Sequence, residues 1–233
     1  REWMGGPEAT ALGMFVGCLL AILVCGGLGL FSGSMVAFFG VPPFVASLGM
    51  MMVASGLAYM LSGGLSIYQL PESFDWLGRG DDLAGIPNAV VLMILLYFLA
   101  HLLMSRTIAG RYVYAVGGNS EAARLSGVPV KRILLWVYAG SGALAGLGGI
   151  VMASQFRSGD PKYGLMYELY VIAAVVVGGT SLSGGRGKVF GTLIGAFIIA
   201  VIQNGMNLTG VQSYTQKVVL GLVLLAAVLL DML

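Results

Sequence analysis

The chain has 233 residues, of which 58% are hydrophobic and 9% charged, with a formal net charge of +2. Soluble domains carry roughly 25% charged residues, so this composition, with its mean hydropathy of +0.93, excludes an ordinary soluble fold. The small positive charge comes without a basic stripe or an aromatic RNA motif, so nucleic acid is not expected as a partner.

Where the charges stand says more than how many there are. All 22 fall in the clusters 1–8, 72–82, 106–132, 157–168 and 186–188, plus Lys217 and Asp231. A charge at the bilayer centre costs at least about 2.5 kcal/mol, so the uncharged runs between clusters read as membrane spans. The predicted spans, in chain order, are 11–31, 43–62, 87–104, 133–153, 168–180, 189–207 and 215–231. In lipid each must satisfy its own backbone hydrogen bonds, and each is therefore expected to be helical. The expected fold is an all-α polytopic bundle of about seven spans or half-spans, forming one transmembrane domain over residues 1–233. Segment 168–180 is too short to cross alone. It reads as a half-helix running into the Gly-rich loop 178–187, or as a helix that extends past its uncharged core. The chain opens at Arg1 without an initiator Met or a signal-peptide pattern, and is read as entered partway along, with further N-terminal spans expected.

Orientation follows from the loops. Loop 63–86 holds Arg79 against Glu72, Asp75, Asp81 and Asp82, which suits the outside. Loop 105–132 carries Arg106, Arg111, Arg124, Lys131 and Arg132 against Glu121 alone. Short basic loops stay cytoplasmic, so this one lies inside. Arg186 and Lys188 place loop 181–188 there too. Alternation then sets residue 1 outside and residue 233 inside.

Small residues recur at helix-packing spacing: Gly13/Gly17, Gly29/Gly33, Gly142/Gly146 and Gly187/Gly191/Gly195. Such pairs let helix backbones approach closely. Gly40-Val-Pro-Pro-Phe44 and Gly210-Val-Gln-Ser-Tyr214 each join two spans, a weak hint of the inverted repeats of transporters.

Catalytic chemistry finds little support. Cys18 and Cys25 stand about 10 Å apart along a helix, too far for a disulfide, and read as apolar packers. His101 is the only histidine. It has no acid near it in sequence to make it a base for Ser181 or Ser183, which leaves an intramembrane serine protease as a remote alternative. Gly184-Gly-Arg-Gly-Lys188 fails the phosphate-loop pattern twice, with Leu182 in the first Gly position and Val189 after the Lys. No metal site or cofactor is expected. Ion-coupled transporters often plant ionisable groups at mid-membrane, and none appears in these span cores. Uncharged polar groups do occur there. Ser47, Gln203, Asn204, Asn207 and Tyr214 are candidates for a path along which a hydroxyl-rich solute could pass; interhelical hydrogen bonding is the competing reading.

The residues also carry a family resemblance. Val41-Pro-Pro-Phe-Val-Ala-Ser-Leu-Gly49, Val116-Gly-Gly-Asn-Ser-Glu-Ala-Ala-Arg-Leu-Ser-Gly127, Ala173-Ala-Val-Val-Val-Gly-Gly-Thr-Ser-Leu-Ser-Gly-Gly-Arg-Gly187 and Asn204-Gly-Met-Asn-Leu208 stand out. With these, nearly the whole chain resembles the permease subunits of bacterial ABC sugar importers of the ribose/xylose/arabinose type. The resemblance implies a dimeric inner-membrane permease of about ten helices per full-length subunit. Its implied partners are a second permease subunit, a periplasmic binding protein that delivers the solute, and cytoplasmic ATPase subunits that drive transport. It also maps the family's ATPase-coupling segment onto Asn119, Glu121, Ala122, Ala123, Arg124 and Gly127. Permeases of the same kind for an amino acid, nucleoside or polyol remain open as alternatives.

Overall fold

The uncharged runs form helices. In a computed structural model that describes residues 11–68, 70–82 and 85–232, the helices are α1 (Ala11–Phe39), α2 (Pro43–Ser62), α3 (Trp76–Arg79), α4 (Asn88–Arg106) and α5 (Ile108–Gly118). They continue with α6 (Ser120–Leu125), α7 (Val130–Phe156), α8 (Tyr167–Val177), α9 (Val189–Leu208) and α10 (Ser213–Met232). A short 3-10 turn, Glu72–Asp75, leads into α3. Helices α1, α2, α4, α7 and α9 are long and apolar enough to cross a membrane; α8 and the Ser213–Leu229 part of α10 are shorter apolar helices. Helix α8 has 11 residues, about 17 Å at 1.5 Å per residue, half of a ~30 Å hydrocarbon core. Of the two readings of 168–180, the half-helix running into the Gly-rich loop is the one found.

Two helices outrun their predicted ends. Helix α1 continues past 31 to Phe39 and stops only where Gly40 turns left-handed (φ 68°) ahead of two prolines. Helix α7 takes in Lys131 and Arg132 at its start and runs on to Phe156. A long basic side chain need not end a membrane helix, because its stem lies along apolar surface while its head reaches out. Lys131 places its ammonium 5.2 Å from the Phe38 ring centroid. The two predicted repeat turns share a local geometry. Gly40 and Gly210 are both left-handed, and the following Val41 and Val211 N–H groups donate to the carbonyls of Met35 and Met206.

The helices form two compact units, one within Arg1–Ile94 and Pro129–Tyr163, the other within Leu95–Val128 and Gly164–Leu233. In the first unit, α1 and α7 run antiparallel in direct backbone contact. A Cβ on Gly29 would overlap the Tyr138 carbonyl oxygen, one on Gly142 would overlap the Cys25 carbonyl oxygen, and one on Gly33 would stand 2.7 Å from the Tyr138 Cβ. Both cysteines are free thiols in this seam's helix.

Loop 63–86 of this unit is laced onto the end of α7. Ser154, fully buried, donates its hydroxyl to the Phe74 carbonyl at 2.5 Å and accepts the Gly78 N–H at 2.8 Å. Arg79 donates to the Gln155 carbonyl at 2.8 Å. Ile67 and Gly159 exchange two backbone hydrogen bonds of 2.8 Å each, and Arg157 pairs with Asp75. The Ser66 hydroxyl donates to Asp160 at 2.5 Å and, with the Lys162 N–H, holds that carboxyl below its usual range.

In the second unit α8 and α9 repeat the close crossing. Cβ atoms on Gly191 and Gly195 would overlap the carbonyl oxygens of Gly178 and Ala174. Ala173, Ala174, Ile199 and Leu220 form the buried core where α10 joins them.

The backbone contact in the first unit is directly testable. Overpacking a tight core costs about 1–3 kcal/mol. Gly29→Ala is therefore expected to lower the thermal denaturation midpoint of the purified protein in lipid nanodiscs. Gly27→Ala, whose Cβ would meet nothing within 4 Å, is expected to leave it unchanged or slightly raised.

Candidate functional site

The segment between α4 and α7 is built in two steps. Thr107 accepts the Gly110 N–H at 3.2 Å and so caps α5, while donating its own hydroxyl back to the Leu103 carbonyl at 2.6 Å. Helix α5 then runs to Gly118, and Asn119 starts α6. The Asn119 side-chain oxygen accepts the N–H groups of Glu121 and Ala122 at 3.1 and 2.9 Å, supplying partners to two of the donors a helix start leaves unpaired. At the other end Gly127 is left-handed (φ 82°). Its N–H donates to the Arg124 carbonyl and that of Val128 to the Ala123 carbonyl, both at 3.0 Å. That bond pair is a Schellman closure. Helix α6 has six residues, too few to hold together by propagation alone, so its order rests on these two caps.

The caps leave a defined outer face. Glu121 and Arg124 form a two-pronged pair, Nε to Oε2 at 3.0 Å and Nη2 to Oε1 at 2.5 Å, with both side chains 65% exposed. The hydrogen bond and charge of Arg124 hold the Glu121 carboxyl below its usual range, and Glu121 correspondingly raises Arg124. A depressed carboxylate pKa adds stability that is present above the unfolded pKa and lost as pH falls through the folded one. The pair is therefore fully ionised at neutral pH. An exposed pair of this kind contributes little stability; what it supplies is a fixed pattern of charge.

The predicted coupling residues divide into two kinds. Glu121, Ala122 and Arg124 face outward. Asn119 and Gly127 work as the caps, and Ala123 is turned inward at 5% exposure, anchoring α6. Leu125, not singled out from the sequence, stands 77% exposed at the end of α6. The signal for it was one apolar side chain in an otherwise polar turn.

Helix α5 is seated on the Gly-rich loop. Tyr114 donates its hydroxyl to the Gly187 carbonyl at 2.9 Å. A Cβ on Gly184 would overlap the Gly117 carbonyl oxygen, and one on Gly185 would lie 2.7 Å from the Gly118 Cα. The loop is itself ordered. Helix α8 ends with left-handed Gly179 and a second Schellman closure, the Gly179 and Thr180 N–H groups donating to the Val176 and Val175 carbonyls at 2.8 and 3.1 Å. The Ser181 N–H then closes the loop onto the Arg186 carbonyl at 3.1 Å. His101 lays its ring 4.5 Å from that of Phe190.

The candidate path residues belong to both units, four of them to the second. Gln203, Asn204 and Asn207 lie on the last turns of α9, and Tyr214 is 79% exposed at the start of α10. Asn207 accepts a hydrogen bond of 2.9 Å from Gln216, which also donates to the Val211 carbonyl at 2.8 Å, tying the α9–α10 turn. Ser47, in the first unit, donates to the Phe44 carbonyl of its own helix at 3.0 Å. Gln216 escaped the sequence reading because its partner stands nine residues away across a turn.

Known proteins bear on these features. Residues 3–228 match the family model described as branched-chain amino acid transport system / permease component. The chain is 40% identical over 235 residues to the ribose import permease protein of Escherichia coli (strain K12), covering 97% of this chain and 73% of that one. It is 46% identical over 191 residues to the ribose import permease protein of Bacillus subtilis (strain 168), covering 81% and 59%. The D-allose transport system permease protein of Escherichia coli (strain K12) is 38% identical over 211 residues, 90% and 64% of the two chains. No solved structure matches. With its apolar spans and this match along nearly its full length, the chain belongs to the branched-chain amino acid transport system permease family and is a multi-pass transport component of the inner membrane.

Proposed function

We propose that the chain is the membrane-spanning subunit of an ATP-driven importer and carries a monosaccharide such as ribose. In this reading α6 is the element that meets the ATPase. The observation that carries the coupling role is the construction of α6: a six-residue helix closed at both ends, presenting a pre-formed Glu121–Arg124 pair beside an exposed Leu125. A rigid polar helix with one apolar tip loses little entropy when a complementary groove receives it. Charged pairs at such a surface select the partner and the docking register. The seat of α5 on the Gly-rich loop supplies a route inward, since displacement of α6 is felt at Gly117–Gly118 and hence at Gly184–Gly185 and the start of α9. A binding protein is proposed to deliver the sugar on the opposite side, where the cap over α7 offers a fixed surface, and a second permease subunit to complete the pathway. The monosaccharide assignment rests on the ribose and allose permeases among the relatives. Uptake measured over a panel of pentoses, hexoses, amino acids and nucleosides decides it, and import of an amino acid or nucleoside in preference to every sugar would remove it.

Glu121→Lys and Arg124→Glu are each expected to abolish uptake and to lose copurification of the ATPase while membrane insertion stays normal. Normal uptake in either variant would remove the coupling role. Asn119→Ala removes the cap without touching the outer face. A lost cap costs about 1 kcal/mol, so hydrogen exchange at the α6 amides is expected to quicken about fivefold, with weakened rather than abolished ATPase association.

A further inference from the structure

Where α4 and α9 meet the Gly-rich loop, the second unit carries an open-sided cavity of about 300 Å3, at the lower end of the ~300–1,000 Å3 typical of small-molecule sites. Its depth in the membrane is set by two helix ends. Met104 on its wall stands two residues before the last residue of α4, and Val189 is the first residue of α9. Both are the points at which uncharged spans give way to charged loops, so the cavity lies at the level of the lipid headgroups.

The chemistry of the wall is lopsided. Arg186 and Lys188 both line the cavity, and no Asp or Glu does. Among the described residues neither cation has an ion pair; the two ion pairs found there are Arg124–Glu121 and Arg157–Asp75. Thr180, Ser181, Thr192 and Tyr114 bring hydroxyls, while Met104, Val113, Val189 and the glycines give the wall its apolar part. An inorganic anion would leave that apolar wall unused, and a neutral solute would leave two cations without a counter-charge. Basic pockets between membrane helices at the headgroup level suit lipid phosphates.

We propose that this cavity binds an anionic phospholipid, its phosphate on Arg186 and Lys188 and the start of its acyl region on Met104 and Val189. The fit depends neither on which solute is carried nor on whether α6 meets an ATPase. It makes the Gly-rich loop, on which α5 is seated, a lipid-responsive element.

The test uses the whole membrane-embedded permease, exchanged into nanodiscs of phosphatidylcholine with or without phosphatidylglycerol. Retained lipid is counted by native mass spectrometry after release. Wild type is expected to retain phosphatidylglycerol and not phosphatidylcholine. Arg186→Gln with Lys188→Gln is expected to weaken retention by about tenfold or more. The charge-preserving pair Arg186→Lys with Lys188→Arg should retain the lipid, which separates loss of charge from loss of fold. Equal retention of the two lipids by wild type, or undiminished retention by the neutral pair, would overturn the proposal. So would displacement of the lipid by inorganic phosphate alone, which would make this a free-phosphate site, or by added ATPase subunit, which would make it a partner's seat.

Discussion

Backbone lying directly on backbone is the constraint from which the rest of this molecule follows. Lipid tails are as apolar as leucine side chains, so helices in a bilayer gain little by hiding apolar surface from their surroundings. What remains is van der Waals contact at short range, and that is greatest where no Cβ intervenes. The chain uses this device at Gly29 and Gly142 between α1 and α7, at Gly191 and Gly195 between α9 and α8, and at Gly117 and Gly184 between α5 and the Gly-rich loop. The first two seams join membrane helices. The third joins a loop to an amphipathic helix, and by the same means it turns a flexible-looking glycine run into a fixed bearing surface.

The same economy explains why so little of the chain is buried. Among the described residues the buried apolar side chains are few, and long aliphatic and aromatic residues stand exposed along every long helix. In a soluble protein this would be an aggregation surface. Here it is the surface that lipid covers. Many of the polar side chains that find partners do so at helix ends, in caps and in the laced loop over α7.

Much of this was legible from charge alone. Arg106, Arg186 and Lys188 mark span ends because a charge in hydrocarbon is costly, and α2, α4 and α9 begin and end within two residues of expectation. The rule failed where its physics is weaker. Lys131 and Arg132 sit inside α7, as a long basic side chain can when its stem follows apolar surface, and α1 runs through Ser32, Gly33 and Ser34, with Gly33 packed against Tyr138. The segment proposed to meet the ATPase was visible as a polar, helix-prone stretch, yet the inward turn of Ala123 was not, since six residues make fewer than two turns and carry no readable period. In the sequence Gly184 and Gly185 read only as part of a failed phosphate-loop pattern; that they face Gly117 and Gly118, more than sixty positions earlier, is a long-range fact with no local sign.

The buried hydroxyl of Ser154 has a mechanical meaning. By holding Phe74 and Gly78 at once, it makes the loop over α7 an extension of that helix and not a tether between two others. A tilt of α7 would therefore carry Phe74 and Gly78 with it. A probe placed on α3 would then act as the pointer of a gauge, reading the motion of a helix otherwise hidden in the bilayer.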